Sequence, residues 1–168
     1  MRDLYVSWDE YNRLIEKLAL EIWESGWNFD AIVCLARGGL RIGDVLSRLF
    51  DRPLGVLFTS SYREDGGTRQ SRLMIADHIS SAAPLPGSRW LLADDLVDSG
   101  ATLVEVIPAL KARHPQVEEI RSAVIWAKGS SVAQPDYSIE RLPSNPWIHQ
   151  PFEEYDQMKP GDLKARWG

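Results

Sequence analysis

At 168 residues and 44% hydrophobic content, the chain is long enough for one domain with a substantial core. Its 24 acidic and 19 basic side chains leave a net charge of −5, and no Lys/Arg block could follow a nucleic-acid backbone, so nucleic-acid binding is not expected. No stretch approaches the length of a membrane span, and no basic segment precedes an apolar run at the start, which gives the expectation of a soluble, cytoplasmic chain.

In chain order, Ser7-Trp8-Asp9-Glu10 has the form of a capping box, with Ser at the cap and Glu three residues on. Tyr11, Leu14, Ile15, Leu18 and Ile22 then recur at helical spacing, which predicts an amphipathic helix over 8–24 that Gly26 stops. Residues 30–35 read as a buried strand. The only cysteine, Cys34, lies within it, which excludes an internal disulfide, argues against a thiolate zinc site and suits a buried structural thiol. Arg37-Gly38-Gly39 is a turn, followed by a helix from Leu40 to about Phe50 and a strand from Leu54 to Thr59. Residues 60–72 are polar, contain glycine and show no apolar period, the character of a functional loop. A short strand near Leu73–Ala76, a surface turn at 82–87, a strand over Trp90–Ala93, a helix over Ala101–Ala112 and a strand over Ile120–Ala127 complete the pattern. Beyond Gly129 regular structure is expected to be thin. Strands alternating with helices predict an α/β fold with a mainly parallel sheet.

The richest segment is Leu91-Leu92-Ala93-Asp94-Asp95-Leu96-Val97-Asp98-Ser99-Gly100-Ala101-Thr102-Leu103. An apolar strand delivers two adjacent carboxylates to the end where open parallel sheets bind ligands. Successive side chains alternate faces, so the two cannot point the same way. Asp98, Ser99, Gly100, Ala101 and Thr102 then form a small-residue turn at the start of a helix, where N–H groups and the helix dipole attract an anion. A simple N-cap, with Ser99 in that role, explains an isolated Asp-Ser-Gly equally well. It does not explain two like charges placed side by side, which need a cation or hydroxyl donors.

Other segments add to this. Ala36-Arg37-Gly38 follows the first buried strand, and its amides with Arg37 suit a close-approaching anion, although an Arg-Gly-Gly turn also serves as plain structure. Arg63, Arg69 and Arg72 carry positive charge in the polar segment, and Lys128 is a cation at a strand end. Trp147, ahead of Ile148, offers a rigid indole plane for a flat heterocycle or for core packing.

The Leu91–Leu103 segment resembles the signature of the type I phosphoribosyltransferases, which use 5-phosphoribosyl-1-pyrophosphate. Tyr5-Val6-Ser7-Trp8, Ser60-Ser61-Tyr62, Ala127-Lys128 and Trp147-Ile148-His149-Gln150-Pro151-Phe152 resemble the bacterial xanthine–guanine subgroup of that family. The resemblance runs from about Tyr5 to Glu153. It implies a single domain over 1–168, with a hood from about 1–8 and 137–160 and a mobile catalytic loop over 60–72. It implies that Asp94 and Asp95 hold the ribose hydroxyls, that Asp98 to Thr102 wrap the 5′-phosphate, and that Asp98 acts as base toward the purine. It further implies that Ala36, Arg37, Gly38 and Arg69 take the pyrophosphate, with a non-proline cis peptide at Ala36–Arg37 and Arg69 the catalytic arginine of the loop. Lys128 would donate to a 6-oxo group, Trp147 would stack on the purine and Ile148 would meet its 2-position. Mg²⁺ is the implied cofactor, with Asp94, Asp95 and Glu153 as candidate ligands. The implied partners are phosphoribosyl pyrophosphate and a purine base, in a homodimer or homotetramer. His149 departs from the subgroup, which has an acidic residue there. A transferase for another base and a non-catalytic phosphoribosyl pyrophosphate sensor are the alternatives.

Overall fold

A computed structural model describes residues 3–62 and 72–168. The strands are β1 (Leu4–Tyr5), β2 (Ala31–Ala36), β3 (Leu54–Tyr62), β4 (Arg72–Ile75), β5 (Arg89–Ala93), β6 (Leu96–Val97), β7 (Glu119–Lys128), β8 (Tyr137–Leu142) and β9 (Ile148–His149). The three long helices are α1 (Trp8–Glu24), α2 (Leu40–Phe50) and α3 (Ala101–Arg113), and short turns of helix occupy 151–167.

Strand order in the main sheet is β4-β3-β2-β5-β7, with β8 also paired to β7. Every pairing is parallel except β3 with β4. Ala93 pairs with Ala123 and Leu96 with Trp126, the same offset, so β5 and β6 run along one edge of β7. Asp94 and Asp95 interrupt that edge without shifting its register. The Asp94 amide still reaches the Ala123 carbonyl at 3.1 Å, and the Asp95 carbonyl accepts from Ile125 and Trp126 at 3.1 and 3.2 Å.

Helices cover both faces of the sheet, which is why its strands read as unbroken apolar runs. Ile32, Cys34, Leu91, Ala93 and Ile125 pack with Tyr11, Leu14, Ile15, Leu18 and Ile22 of α1 and with Ile42 and Leu46 of α2. Val33, Leu35, Leu92 and Val124 pack on the other face with Leu103, Val106 and Leu110 of α3. At the start of α1 the Ser7 hydroxyl accepts from the Glu10 amide at 3.2 Å, as the capping sequence predicts. Gly26 follows the helix at φ +71.

Two expectations need correction. The region after Gly129 is not thin in structure: β8 pairs with β7 in register from Ala123–Tyr137 to Lys128–Leu142, and β9 pairs with β1. Proline and glycine around these short strands hide their alternation. Likewise, Ser60, Ser61 and Tyr62 belong to β3, paired with Met74, Leu73 and Arg72, so the polar composition there begins within a strand pair. Arg63 and Arg69 lie outside the described residues.

Candidate active site

The connections β2–α2, β6–α3 and β7–β8 all leave the carboxyl edge of the sheet, where most of the residues singled out from the sequence gather. Asp94 is partly buried, and its Oδ1 accepts from the Asp95 amide at 2.9 Å. Burial, followed by the neighbouring Asp95 carboxylate, holds the Asp94 carboxyl well above the usual carboxylate range. Asp95 turns the other way, as strand alternation requires. Its Oδ2 accepts from Nε2 of Gln150 at 2.5 Å.

The two carboxylates serve two cavities. Asp94 lines a small one of about 90 Å³ with Asp98, Ser99, Gly100 and Thr102. Gly100 caps α3 in the left-handed region at φ +84, and a Cβ there would meet Ser131 Oγ at 2.4 Å and the Ala133 amide nitrogen at 2.6 Å. Only glycine fits that corner. The Ser99 hydroxyl accepts from the Ala101 amide at 3.3 Å, and the Ser99 carbonyl accepts from Val132 at 2.9 Å, so residues 131–133 brace the turn from outside.

Asp95 lines a cleft of about 1130 Å³ together with Arg37, Gly38, Trp147 and Glu153. The Ala36–Arg37 peptide bond is cis, as the resemblance implies. A Cβ on Gly38 would lie 2.7 Å from the Asp95 carboxyl group, and one on Gly39 would lie 2.5 Å from the Ala93 carbonyl. These two glycines let the β2–α2 turn rest directly on the acidic strand end. The exposed Arg37 pairs with Asp156 at 3.4 Å.

Lys128 is buried at the end of β7, and its Nζ lies 3.2 Å from Oδ1 of Asp98. Trp147, on the large cleft, is 64% exposed, whereas Ile148 is buried and its side chain belongs to the core. Backbone pairing fixes them: Leu4 donates to the Trp147 carbonyl at 2.8 Å, and Val6 donates to that of His149 at 3.1 Å. His149 stacks on Tyr5 at 4.3 Å and meets Asp3 at 3.0 Å. Glu153 donates its amide to the Gln150 carbonyl at 3.0 Å, and burial raises its carboxyl above the ordinary range. Among the described residues no three His, Cys, Asp or Glu side chains gather into a metal site.

The structure thus divides the singled-out residues that it describes: Asp94, Asp98, Ser99, Gly100 and Thr102 line the small cavity, Asp95, Arg37, Gly38, Trp147 and Glu153 line the large one, Lys128 joins the first group through Asp98, Ile148 packs in the core, and Arg72 stands on β4. It adds two that sequence reasoning missed, Gln150 and Arg41. The Arg41 guanidinium lies 5.3 Å from the ring centroid of Trp8 and 4.9 Å from that of Phe152, and lines the large cleft. Its two partners come from separate segments far from it in the chain, so no local pattern signals it. For Gln150 the only cue is its place in the segment from Trp147 to Phe152.

Comparison with known proteins identifies the family. Residues 7–157 match the phosphoribosyl transferase domain family. The chain is 28% identical over 153 residues to the xanthine-guanine phosphoribosyltransferase of Idiomarina loihiensis, covering 90% of this chain and 88% of that protein. It superposes on the purine phosphoribosyltransferase of Pyrococcus horikoshii with a TM-score of 0.74 and 31% identity, covering 90% of this chain and 95% of that one. The Helicobacter pylori xanthine-guanine-hypoxanthine phosphoribosyltransferase gives a TM-score of 0.77 at 25% identity, covering 98% and 99%. A carboxyl-edge diacid, a glycine-capped turn opening a helix and a match over nearly the whole chain make this protein a member of the phosphoribosyl transferase family of enzymes, with the type I fold and its resemblance lying toward the bacterial purine phosphoribosyltransferases.

Proposed function

We propose that the protein transfers the phosphoribosyl group of phosphoribosyl pyrophosphate to N9 of guanine, xanthine or hypoxanthine. The N9–C1 bond forms, the bond from C1 to the pyrophosphate oxygen breaks, and the purine gives up one proton. The products are a nucleoside 5′-monophosphate and pyrophosphate. The observation that carries this reading is the division of labour at the diacid: Asp94 lines the small cavity and Asp95 the large one. A sugar seated over the strand end would send its 5′-phosphate to the turn at Asp98–Thr102 and its pyrophosphate toward Ala36, Arg37 and Gly38. The 5′-phosphate would find small residues and backbone amides at the positive end of α3.

On the base side, an exposed indole at Trp147 and a buried ammonium at Lys128 support a planar 6-oxopurine. An ammonium only donates, so it favours a 6-oxo acceptor over the 6-amino group of adenine. Asp98, paired with Lys128, is the carboxylate that takes or orients the purine proton. The Ile148 backbone borders the 2-position, and Arg69 is assigned to the pyrophosphate side on resemblance alone. Rate enhancement on this reading comes from positioning and from electrostatics inside the closed site.

Mg²⁺ characteristically keeps several waters and is bound through one or two carboxylates plus substrate phosphates. Asp95 and Glu153 line the same cleft as Arg37 and fit that donor set, whereas Asp94 lies on the smaller cavity. When bound, the ion neutralises charge on the leaving pyrophosphate. We further assign the β1–β9 pair to a hood over the base, within one catalytic domain acting as a homodimer or homotetramer in the cytoplasm. No helix among the described residues is long and apolar enough to cross a membrane.

The test is nucleotide formation from phosphoribosyl pyrophosphate, Mg²⁺ and each of guanine, xanthine and hypoxanthine, with adenine and uracil alongside. A monophosphate from at least one 6-oxopurine, at a rate well above that with adenine, is the expected result. Turnover of adenine or uracil alone, or none, would refute the reading.

A further inference from the structure

Gln150 is 5% exposed and sits between His149 of β9 and Pro151. Its amide nitrogen donates to Oδ2 of Asp95 at 2.5 Å. Its Oε1 is buried with no hydrogen-bond partner among the described residues. The carboxylate accepts, so the nitrogen must face it and the oxygen must take the unpartnered place. Leaving a buried acceptor unpaired costs about 1–3 kcal/mol. An apolar side chain of the same size would fill this position at no such cost, so packing alone does not account for a glutamine. The Asp95 carboxyl is confined elsewhere as well, because the Cα of Gly38 lies so close that a Cβ there would meet it at 2.7 Å.

We infer that Gln150 is a positioning residue for the sugar grip. Its amide ties one oxygen of Asp95, fixes the carboxylate against the Arg37-Gly38 turn, and leaves the remaining lone pairs aimed into the large cleft. This inference rests on the reading of the site as a phosphoribosyl pyrophosphate site. It assigns a function to a residue that touches neither substrate, acting through Asp95. Such a residue controls geometry, and small misplacements of a reacting group are costly in rate.

The test uses Gln150→Met, which keeps the volume but removes both the donor and the stranded acceptor, beside Gln150→Glu and Asp95→Asn. Expected for Gln150→Met is an unchanged or higher Tm and a loss of about 10-fold or more in kcat/KM for phosphoribosyl pyrophosphate. Its KM for the purine should stay near that of the wild type. Gln150→Glu keeps the shape but opposes a carboxylate to a carboxylate, so it should be worse than Gln150→Met, the reverse of what packing predicts. In the Asp95→Asn background, Gln150→Met should add little further loss. A Gln150→Met enzyme with wild-type kinetics, additive losses in the double variant, or an equal rise in both substrates' KM would overturn the inference while leaving the proposed reaction standing. Absence of wild-type turnover would overturn both.

Discussion

The buried ammonium of Lys128 lies 3.2 Å from Oδ1 of Asp98, whose side chain is 63% exposed. The pair is therefore asymmetric. Removing the aspartate strands a cation in a buried place, whereas removing the lysine leaves an aspartate that water can still solvate. Asp98→Asn should lower stability by about 1–2 kcal/mol, more than Lys128→Gln does. Kinetically the order changes. Asp98→Ala should reduce the chemical step by about 10²-fold while sparing pyrophosphate binding. Lys128→Gln should instead cut kcat/KM for 6-oxopurines by about 10–100-fold and narrow the gap to adenine. Urea melts of the variants together with single-turnover rates and pyrophosphate titrations separate these effects. An equal loss of chemistry and pyrophosphate binding in Asp98→Ala would argue against its role as the base.

Gly38 and Gly39 are adjacent yet should fail differently when changed to alanine. The new Cβ at position 38 would meet the end of the Asp95 side chain at 2.7 Å, a group that can yield by giving up its hydrogen bond from Gln150. The Cβ at position 39 would meet the backbone carbonyls of Ala93 and Leu35 at 2.5 and 2.8 Å, which cannot. Gly38→Ala should lower Tm less than Gly39→Ala does and lose use of phosphoribosyl pyrophosphate. Gly39→Ala should be destabilised by about 1–3 kcal/mol through overpacking. Thermal melts and kinetics on both variants decide the point, and the reverse pattern would contradict the placement of this turn on the acidic strand end.

Much of this site is legible in the sequence, for identifiable reasons. Asp94, Asp95, Asp98 and Gly100 fall within one short segment, where apolar run, charge and turn chemistry follow each other in the chain. The long helices were legible because Tyr11 to Ile22 keep a steady helical period and Gly26 ends it. What stayed hidden was non-local. β8 is flanked by irregular chain and is a strand because β7 offers it a free edge. Gln150 meets Asp95 across 55 residues of sequence, and no property of a lone glutamine announces that. The Arg41 contacts with Trp8 and Phe152 depend on how α1, α2 and the 151–153 turn meet.

Trp147 and Ile148 are neighbours at the start of β9, one exposed and one in the core. Trp147→Ala should leave Tm within about 0.5 kcal/mol-equivalent of wild type, the usual range for surface substitutions. The purine KM should nevertheless rise, with that for phosphoribosyl pyrophosphate unchanged. Ile148→Ala should instead destabilise the protein by about 2–4 kcal/mol. Differential scanning calorimetry and substrate-by-substrate kinetics check both, and an unaltered purine KM in Trp147→Ala would remove the stacking role.

Cys34 is completely buried on β2, and burial pushes its thiol from its ordinary value near 9 up to about 11. In the unfolded chain the thiol ionises at the lower value, so between the two the folded protein holds the extra proton. Stability from this group is therefore full below about pH 9 and is lost as pH rises toward 11. Cys34→Ala removes the titration and adds a constant packing loss. Its urea midpoint should fall less steeply than that of the wild type between pH 8.5 and 10, before Tyr11, also raised by burial, enters. Parallel curves would show that the thiol does not contribute. At pH 8 the native thiol should also resist a disulfide reagent until the protein is unfolded.

Asp94 presents the conflict between stability and function in its plainest form. Its carboxyl is held well above the usual range by burial and by Asp95, so carrying a charge there destabilises the ligand-free fold. Asparagine keeps the shape and keeps an Oδ1 to accept from the Asp95 amide, the bond that spans 2.9 Å in the native protein. Asp94→Asn should therefore raise Tm, by roughly 2–4 °C for each kcal/mol of desolvation relieved. The same change should weaken the sugar grip, because a charged acceptor binds a hydroxyl more strongly than a neutral one. The expected variant is more heat-resistant and poorer in kcat/KM for phosphoribosyl pyrophosphate, measured on one preparation by calorimetry and by initial rates. A fall in Tm would mean that the charge is already compensated within the fold, and the desolvation cost assigned to Asp94 would have to be withdrawn.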